Sequence, residues 1–300
     1  MYVEDLAGIL LPCLYRFPNL RAIVFGEPSA SLPQEYRQIY LSTATTALLY
    51  VPLPNLVELE LFFPIANNFR QLFPTEASPL RTPIESILGQ LRHLGLFVRE
   101  YTGTPDLRKI WQPVLPEYAA LPNNDNSFHL FKMVELAANL ESLSIGSTDY
   151  LRFDPEPLSH NRLRCLYLNS VTISSDSLLA FIFQSKDSMR FIELRLVKLD
   201  SGTWQHVLVE LCRLPRLLDF AIESSGYSLT GSSSHLAPGF RPPIDDPKDI
   251  ETHNHLDFYA LGNLQRQVNT NRVAAGFEPA FDIRYSYINA PSLESRLADE

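Results

Sequence analysis

The chain has 300 residues, 45% of them apolar, enough to fill the core of one elongated unit or of two ordinary domains. Its net charge of −9 argues against a general affinity for nucleic acid or anionic membrane, both of which need a basic face, and none of its 25 Lys and Arg residues forms a long run. Cys13, Cys165 and Cys212 are odd in number and widely spaced, the pattern of free thiols in a reducing compartment, so the chain is read as intracellular, cytoplasmic or nuclear.

The N-terminal stretch is apolar from Leu6 to Leu14, yet Glu4 and Asp5 stand where a signal peptide has its basic residues, and Pro12 interrupts the run. No stretch approaches the roughly 18 apolar residues of a membrane helix. Residues 1–18 are expected to form an N-terminal helix or cap.

From Leu20 onward a six-residue pattern, apolar-x-x-apolar-x-apolar, recurs along the chain. It reads Leu20-x-x-Ile23-x-Phe25, then Leu56-x-x-Leu59-x-Leu61 after Pro52-Leu53-Pro54, then Leu91-x-x-Leu94-x-Leu96. Four further lines lead from Leu140, Leu163, Met189 and Leu217. In a strand the last two apolar positions of each line share one face, and the residues between them take the other. Consecutive leads are 36, 35, 49, 23, 26 and 28 residues apart. The last three intervals fall in or near the range of about 20–29 residues of leucine-rich repeats, and the longer ones leave room for larger loops or extra helical turns.

Between the lines the period changes from two to that of a helix. Trp204, Val207, Leu208 and Leu211 stand at i, i+3, i+4 and i+7, with Thr203 placed to cap and Pro215 to stop the helix. Leu130, Met133, Val134 and Ala137 repeat the spacing, as do Ile84, Ile87, Leu88 and Leu91 after Pro83, and Leu178, Leu179, Ile182 and Phe183. Strand, turn and helix therefore alternate, and strands joined by crossover helices stack in parallel. The expected fold is α/β: a leucine-rich-repeat solenoid, a ribonuclease-inhibitor-like horseshoe with parallel strands on its concave face and helices on its convex face, forming a single domain over residues 1–300.

Repeats are expected over residues 19–223, with an insertion at about 100–126. Pro105, Pro113, Pro116 and Pro122 break up this insertion, and it is read as a surface excursion with a short helix near Leu107 to Trp111. Residues 224–248, rich in Ser, Gly and Pro, read as a flexible loop. Residues 249–300 read as a closing unit: a helix capped by Asp249 and running to about Ala275, with Leu256, Ala260, Leu264 and Val268 inward and Gly276 as its stop, then a strand through Phe281, Ile283, Tyr285 and Tyr287.

Motifs of catalysis are missing: no glycine-rich phosphate loop, no Gly-x-Ser-x-Gly elbow and no Cys-x-x-Cys pair. His253 and His255, near Asp249 and Glu251, are two apart and would not face the same way on a helix, so no metal site is expected. Glu58 and Glu60 read as exposed charges rather than an acid–base pair. The chain is read as a non-enzyme that needs no cofactor.

The region from Asn139 to Glu223, above all Leu199-Asp200-Ser201-Gly202-Thr203-Trp204 leading into a helix and then Leu214-Pro215-Arg216-Leu217, resembles the degenerate leucine-rich-repeat region of fungal F-box proteins. The resemblance covers about Asn19 to Ile222. It implies a substrate-recognition domain of a ubiquitin-ligase receptor, in which an F-box holds an adaptor and the repeats hold the substrate. Leu32-Pro33-Gln34-Glu35 followed by Ile39 matches the opening of an F-box, but it falls between the first two lines, and Thr43 to Tyr50 lacks the rest of the pattern. It is read as the helix of the first repeat, so a Skp-type adaptor is not expected to bind. The position after each line where many repeats place Asn holds Pro28, Pro64, Arg99, Thr148, Val171, Val197 and Ser225, so no asparagine ladder is expected. The alternative is a free-standing repeat scaffold or inhibitor with no ubiquitin-ligase link.

If Leu59, Leu94, Leu143, Leu166, Ile192 and Phe220 point inward, their neighbours line the concave wall. The residues expected to bind a partner are Glu58, Glu60 and Phe62 on the second line, His93 and Phe97 on the third, and Tyr167 and Asn169 on the fifth. Phe191, Glu193 and Arg195 on the sixth and Asp219 and Glu223 on the seventh complete the set. Aromatics and Arg are the types that dominate binding hot spots, and the carboxylates favour a protein partner with a basic surface.

Overall fold

A computed structural model describes residues 2–26, 33–74, 81–102, 114, 116–153, 162–228, 250–252 and 254–280. The chain divides into two compact units: unit 1 holds the residues up to Leu163 together with Tyr167–Val171, and unit 2 holds Arg164–Leu166 and the residues from Thr172 onward. Both contain helices and strands, and the strand pairing is mostly parallel. The fold is α/β.

Unit 1 opens with α1 (Tyr2–Leu14) and continues through β1 (Ala22–Phe25), α2 (Gln34–Tyr50) and β2 (Glu58–Phe63). A 3-10 turn over Ala66–Leu72 comes next, then α3 (Ile84–Leu88), β3 (His93–Val98), α4 (Pro116–Ala119), α5 (Phe128–Leu136) and β4 (Ser142–Arg152). A strand forms at each of the first four lines of the sequence pattern. They pair in one register, so Ile23, Leu59, Leu94 and Leu143 lie abreast, as do Phe25, Leu61, Leu96 and Ile145. Leu59, Leu61, Leu94, Leu96, Leu143 and Ile145 have no exposed surface. Each buried leucine-sized side chain contributes about 1.5–3 kcal/mol, which fixes the register, because a slip of one residue would turn every one of them to water.

β5 (Cys165–Ser174) contributes residues to both units. Unit 2 continues with α6 (Ser175–Phe183), β6 (Phe191–Arg195), β7 (Lys198–Ser201), α7 (Trp204–Leu211), β8 (Asp219–Glu223), β9 (Ser225–Tyr227), β10 (Ile250–Glu251) and α8 (His255–Ala274). β6 pairs with β8, while Thr172 to Ser174 pairs with β7, β7 with β9, and β9 with β10. Thr203 caps α7 as the sequence places it, its hydroxyl accepting from His206 N at 3.2 Å, and Ser174 caps α6, accepting from Ser177 N at 3.0 Å. Gly202 has φ +79°, and a Cβ there would lie 1.9 Å from Ser175 Oγ, so only glycine fits the turn into α7.

The second strands of unit 2 are absent from the sequence pattern. They arise because the chain turns sharply after each line: Ser170, Leu196 and Ser224, each seven residues past its lead, have φ of 57°, 52° and 48°. The left-handed residue redirects the backbone, and a second short strand forms at Lys198–Ser201 and at Ser225–Tyr227. This corrects the expected loop over 224–248 at its start; residues 229–249 lie outside the described residues. Ser225, fully buried, holds one rung of the ladder that was not expected: its hydroxyl accepts from Val197 N at 3.0 Å and reaches Leu194 O at 3.2 Å.

The closing helix also begins later than expected. Asn254, not Asp249, caps it, its side chain accepting from Leu256 N at 3.1 Å, and Ile250 and Glu251 are drawn into a strand beside β9. Ala260, Leu264 and Val268 are buried as expected, Leu256 is exposed, and Gly276 ends the helix at φ +84°. What docks α8 is a buried carboxylate that periodicity does not single out. Asp257 accepts from Gln205 N at 2.8 Å, Tyr227 OH at 2.8 Å and Thr252 Oγ1 at 2.9 Å, tying α8 to the start of α7 and to β9. The expected helix near Leu107 to Trp111 and strand at Phe281 to Tyr287 lie outside the described residues. Within the insertion, Thr102 and Asn123 are buried rather than superficial: Asp149 Oδ2 accepts from Thr102 N at 3.0 Å, Thr102 Oγ1 at 2.6 Å and Asn123 Nδ2 at 2.8 Å.

Candidate binding faces of the two units

The outward residues of unit 1 come from β2, β3, β4 and the middle of β5. Parallel register sets Glu58 beside His93 and Ser142, Glu60 beside Gly95 and Ser144, and Phe62 beside Phe97 and Gly146. Phe62 and Phe97 stack with ring centroids 4.3 Å apart and planes 11° from parallel, and Arg99 lies over the Phe62 ring at 5.5 Å. The stack depends on two glycines. A Cβ at Gly146 would lie 2.8 Å from Phe97 Cδ1, and one at Gly95 would lie 2.8 Å from Glu60 Cγ and 2.9 Å from Phe97 Cε2. Phe97 and Glu60 thus lean across the sheet into space that side chains on the next strand would fill. His93 joins the rows: Nε2 lies 3.0 Å from Glu60 Oε1, and Nδ1 3.0 Å from Ser142 Oγ. Tyr167 and Asn169 are half-buried outward positions of β5, with Asn169 bonded by the Ser170 hydroxyl at 3.2 Å.

Unit 2 presents β6 and β8. Phe191 lies beside Asp219, Glu193 beside Ala221 and Arg195 beside Glu223. Phe191 is 42% exposed, and Arg195 and Glu223 pair at 3.2 Å while remaining 48% and 43% exposed. Such a pair is worth about 0–1 kcal/mol and is free to exchange partners. Their neighbours Ile192, Leu194, Phe220 and Ile222 are buried, so the expected alternation holds in both units.

Each expected wall residue is therefore outward. The sequence pattern also places Gly95 and Ser142 on this wall, but it leaves out Gly146 and Arg99, although a glycine at an outward strand position is itself a sign of close approach. Among the described residues no group of three or more His, Cys, Asp or Glu could hold a metal; His255 opens α8, exposed, and His253 lies outside those residues. No disulfide joins the three cysteines, which are half-buried, and burial pushes the Cys212 thiol up. No helix among the described residues is long and apolar enough to cross a membrane.

No protein-family model matches the chain, and comparison with characterised proteins and with solved structures finds no significant match to either.

Proposed function

We propose that the chain is a leucine-rich-repeat module of the horseshoe type that binds a protein partner through the outward residues of its strands, as the repeats of F-box ubiquitin-ligase receptors hold their substrates. One observation carries the reading: in each unit a row of aromatic and charged side chains faces outward from strands whose alternate residues are wholly buried. Phe191, Tyr167 and Arg195 are the anchor types, and Glu58, Glu193, Asp219 and Glu223 favour a basic partner surface. Binding rather than turnover is the work proposed for these faces.

A second reading, a free-standing scaffold or inhibitor, draws support from the F-box-like match. Pro33-Gln34-Glu35, exposed, opens α2, whose Leu41, Ala44 and Leu48 are buried in unit 1, so the helix that follows the match is committed to its own core. Under either reading a purified Skp-type adaptor does not bind the chain. The test is to identify a partner by affinity capture from native extract, purify it, and titrate it against Tyr167→Ala, Phe191→Ala and Arg195→Glu. A loss of about 2 kcal/mol or more per anchor with unchanged melting supports the outward faces as the site. Full affinity in all three variants would move the site elsewhere. Saturable binding of the Skp-type adaptor that is lost on Pro33→Ala would restore the F-box.

A further inference from the structure

We propose that Ser142 is a nucleophile toward activated acyl groups, with His93 as its general base and Glu60 positioning the imidazole. The three come from β4, β3 and β2, consecutive strands whose parallel register sets His93 between Glu58 and Ser142. The imidazole bridges both neighbours, 3.0 Å from Ser142 Oγ at Nδ1 and 3.0 Å from Glu60 Oε1 at Nε2.

Chemistry fixes the direction of both bonds. A carboxylate only accepts, so an imidazole carrying one proton holds it on Nε2 and donates it to Glu60. Nδ1 is then a lone pair, and the Ser142 hydroxyl donates to it. A hydroxyl giving its hydrogen bond to an imidazole that a carboxylate orients is the arrangement that activates a serine, and it is recognised by geometry and roles rather than by chain order or fold. The His93 and Glu60 side chains are 24% and 31% exposed, open to a small substrate. Among the described residues, charged groups near them include Glu58 on β2 and the Arg92–Glu141 pair, 3.6 Å apart, just ahead of β3 and β4.

In the step, Ser142 Oγ attacks the carbonyl carbon of an aryl ester while its proton passes to His93 Nδ1. The new C–O bond forms, the bond to the aryloxide breaks, and the Nδ1 proton leaves with the phenol, so the ester alone supplies the reaction. The backbone restricts the substrate class. In serine hydrolases the amide of the nucleophile helps hold the oxyanion, but here Ser142 N is bonded to Arg92 O at 2.9 Å. Loss of one such donor costs on the order of 10²–10³ in rate, which confines the reaction to esters with good leaving groups and excludes amides. The inference rests on these three side chains and stands whether or not the strand face binds a partner.

The test treats the whole chain with p-nitrophenyl acetate, follows release of p-nitrophenolate, and locates the acetyl group by peptide mass spectrometry. The expected result is a single-turnover burst that places acetyl on Ser142 and vanishes in Ser142→Ala. His93→Gln lowers the burst rate about 10²-fold or more and removes its inflection with pH. Glu60→Gln also slows the burst, by about 10²-fold, because the new amide can face Nε2 with its NH2 and drive the ring proton onto Nδ1. Circular dichroism melts confirm that each variant is folded. Acetylation spread over lysines and other serines, a burst that survives Ser142→Ala, or no burst at all overturns the proposal.

Discussion

In unit 1 the outward side chains hold one another: Glu60, His93 and Ser142 form a hydrogen-bonded chain across three strands, and Phe62 and Phe97 stack over a floor opened by Gly95 and Gly146. In unit 2 the outward side chains stand apart, with Phe191 open to water and Arg195 and Glu223 joined by one exposed pair. Both faces come from the same alternation, so what separates them is the size and reach of a few residues. Glycine beside a long side chain lets it lie down and find partners, and a residue with a side chain of its own keeps its neighbour upright. A face whose side chains are already positioned is suited to chemistry or to rigid recognition, since less ordering is left for binding.

The same contrast runs through the buried carboxylates and supplies the largest expected effect. Both oxygens of Asp257 in unit 2 accept hydrogen bonds, whereas in unit 1 all three donors to Asp149 meet Oδ2, and Oδ1 has no partner. Asp257→Asn turns an NH2 against existing donors and is expected to cost about 3 kcal/mol. Asp149→Asn keeps the three bonds and removes an unbalanced charge, with a change within about 1 kcal/mol. Urea titration of both variants tests the pair; equal losses would erase the distinction.

Next in size is the glycine floor. Gly146→Leu forces its side chain into Phe97 and is expected to destabilise unit 1 by about 1–3 kcal/mol, while Ala221→Leu on the exposed face of β8 stays within about 0.5 kcal/mol. If Gly146→Leu melts with the wild type, Phe97 is not held down and the unit 1 face is as loose as that of unit 2.

The smallest effect is a pH dependence, and each unit contributes to it. Burial raises the hydroxyl of Tyr40 in unit 1 and of Tyr227 in unit 2 above the ordinary tyrosine range. The unfolded chain therefore loses these protons first, and the stability they confer is complete below pH about 10 and declines as pH rises beyond it, by up to about 1.4 kcal/mol per pH unit for each group. Denaturation midpoints at pH 8 and pH 11 should converge in part in Tyr40→Phe and in Tyr227→Phe. Unchanged slopes in both variants would mean that neither hydroxyl is shielded in the folded state.

The lines that lead from Leu20 to Leu217 placed a strand at each repetition, and the i, i+3, i+4 spacings placed α3, α5, α6 and α7, because period and capping are local properties of the backbone and its next few side chains. The inward and outward sides of each strand come from the same alternation. What the sequence could not order was anything that depends on diagonal reach between strands: that His93 bonds Glu60 rather than Glu58 beside it, that Phe97 rests over Gly146, or that Asp257 rather than Asp249 secures the closing helix. The second strands were equally hidden, since a left-handed Leu196 obeys no residue preference, and its N–H bonds Glu223 O, 27 residues away, at 2.8 Å. Local periodicity thus determined the elements and their faces. Register and side-chain reach, which bring together residues tens of positions apart, decided in the folded molecule which outward groups act together.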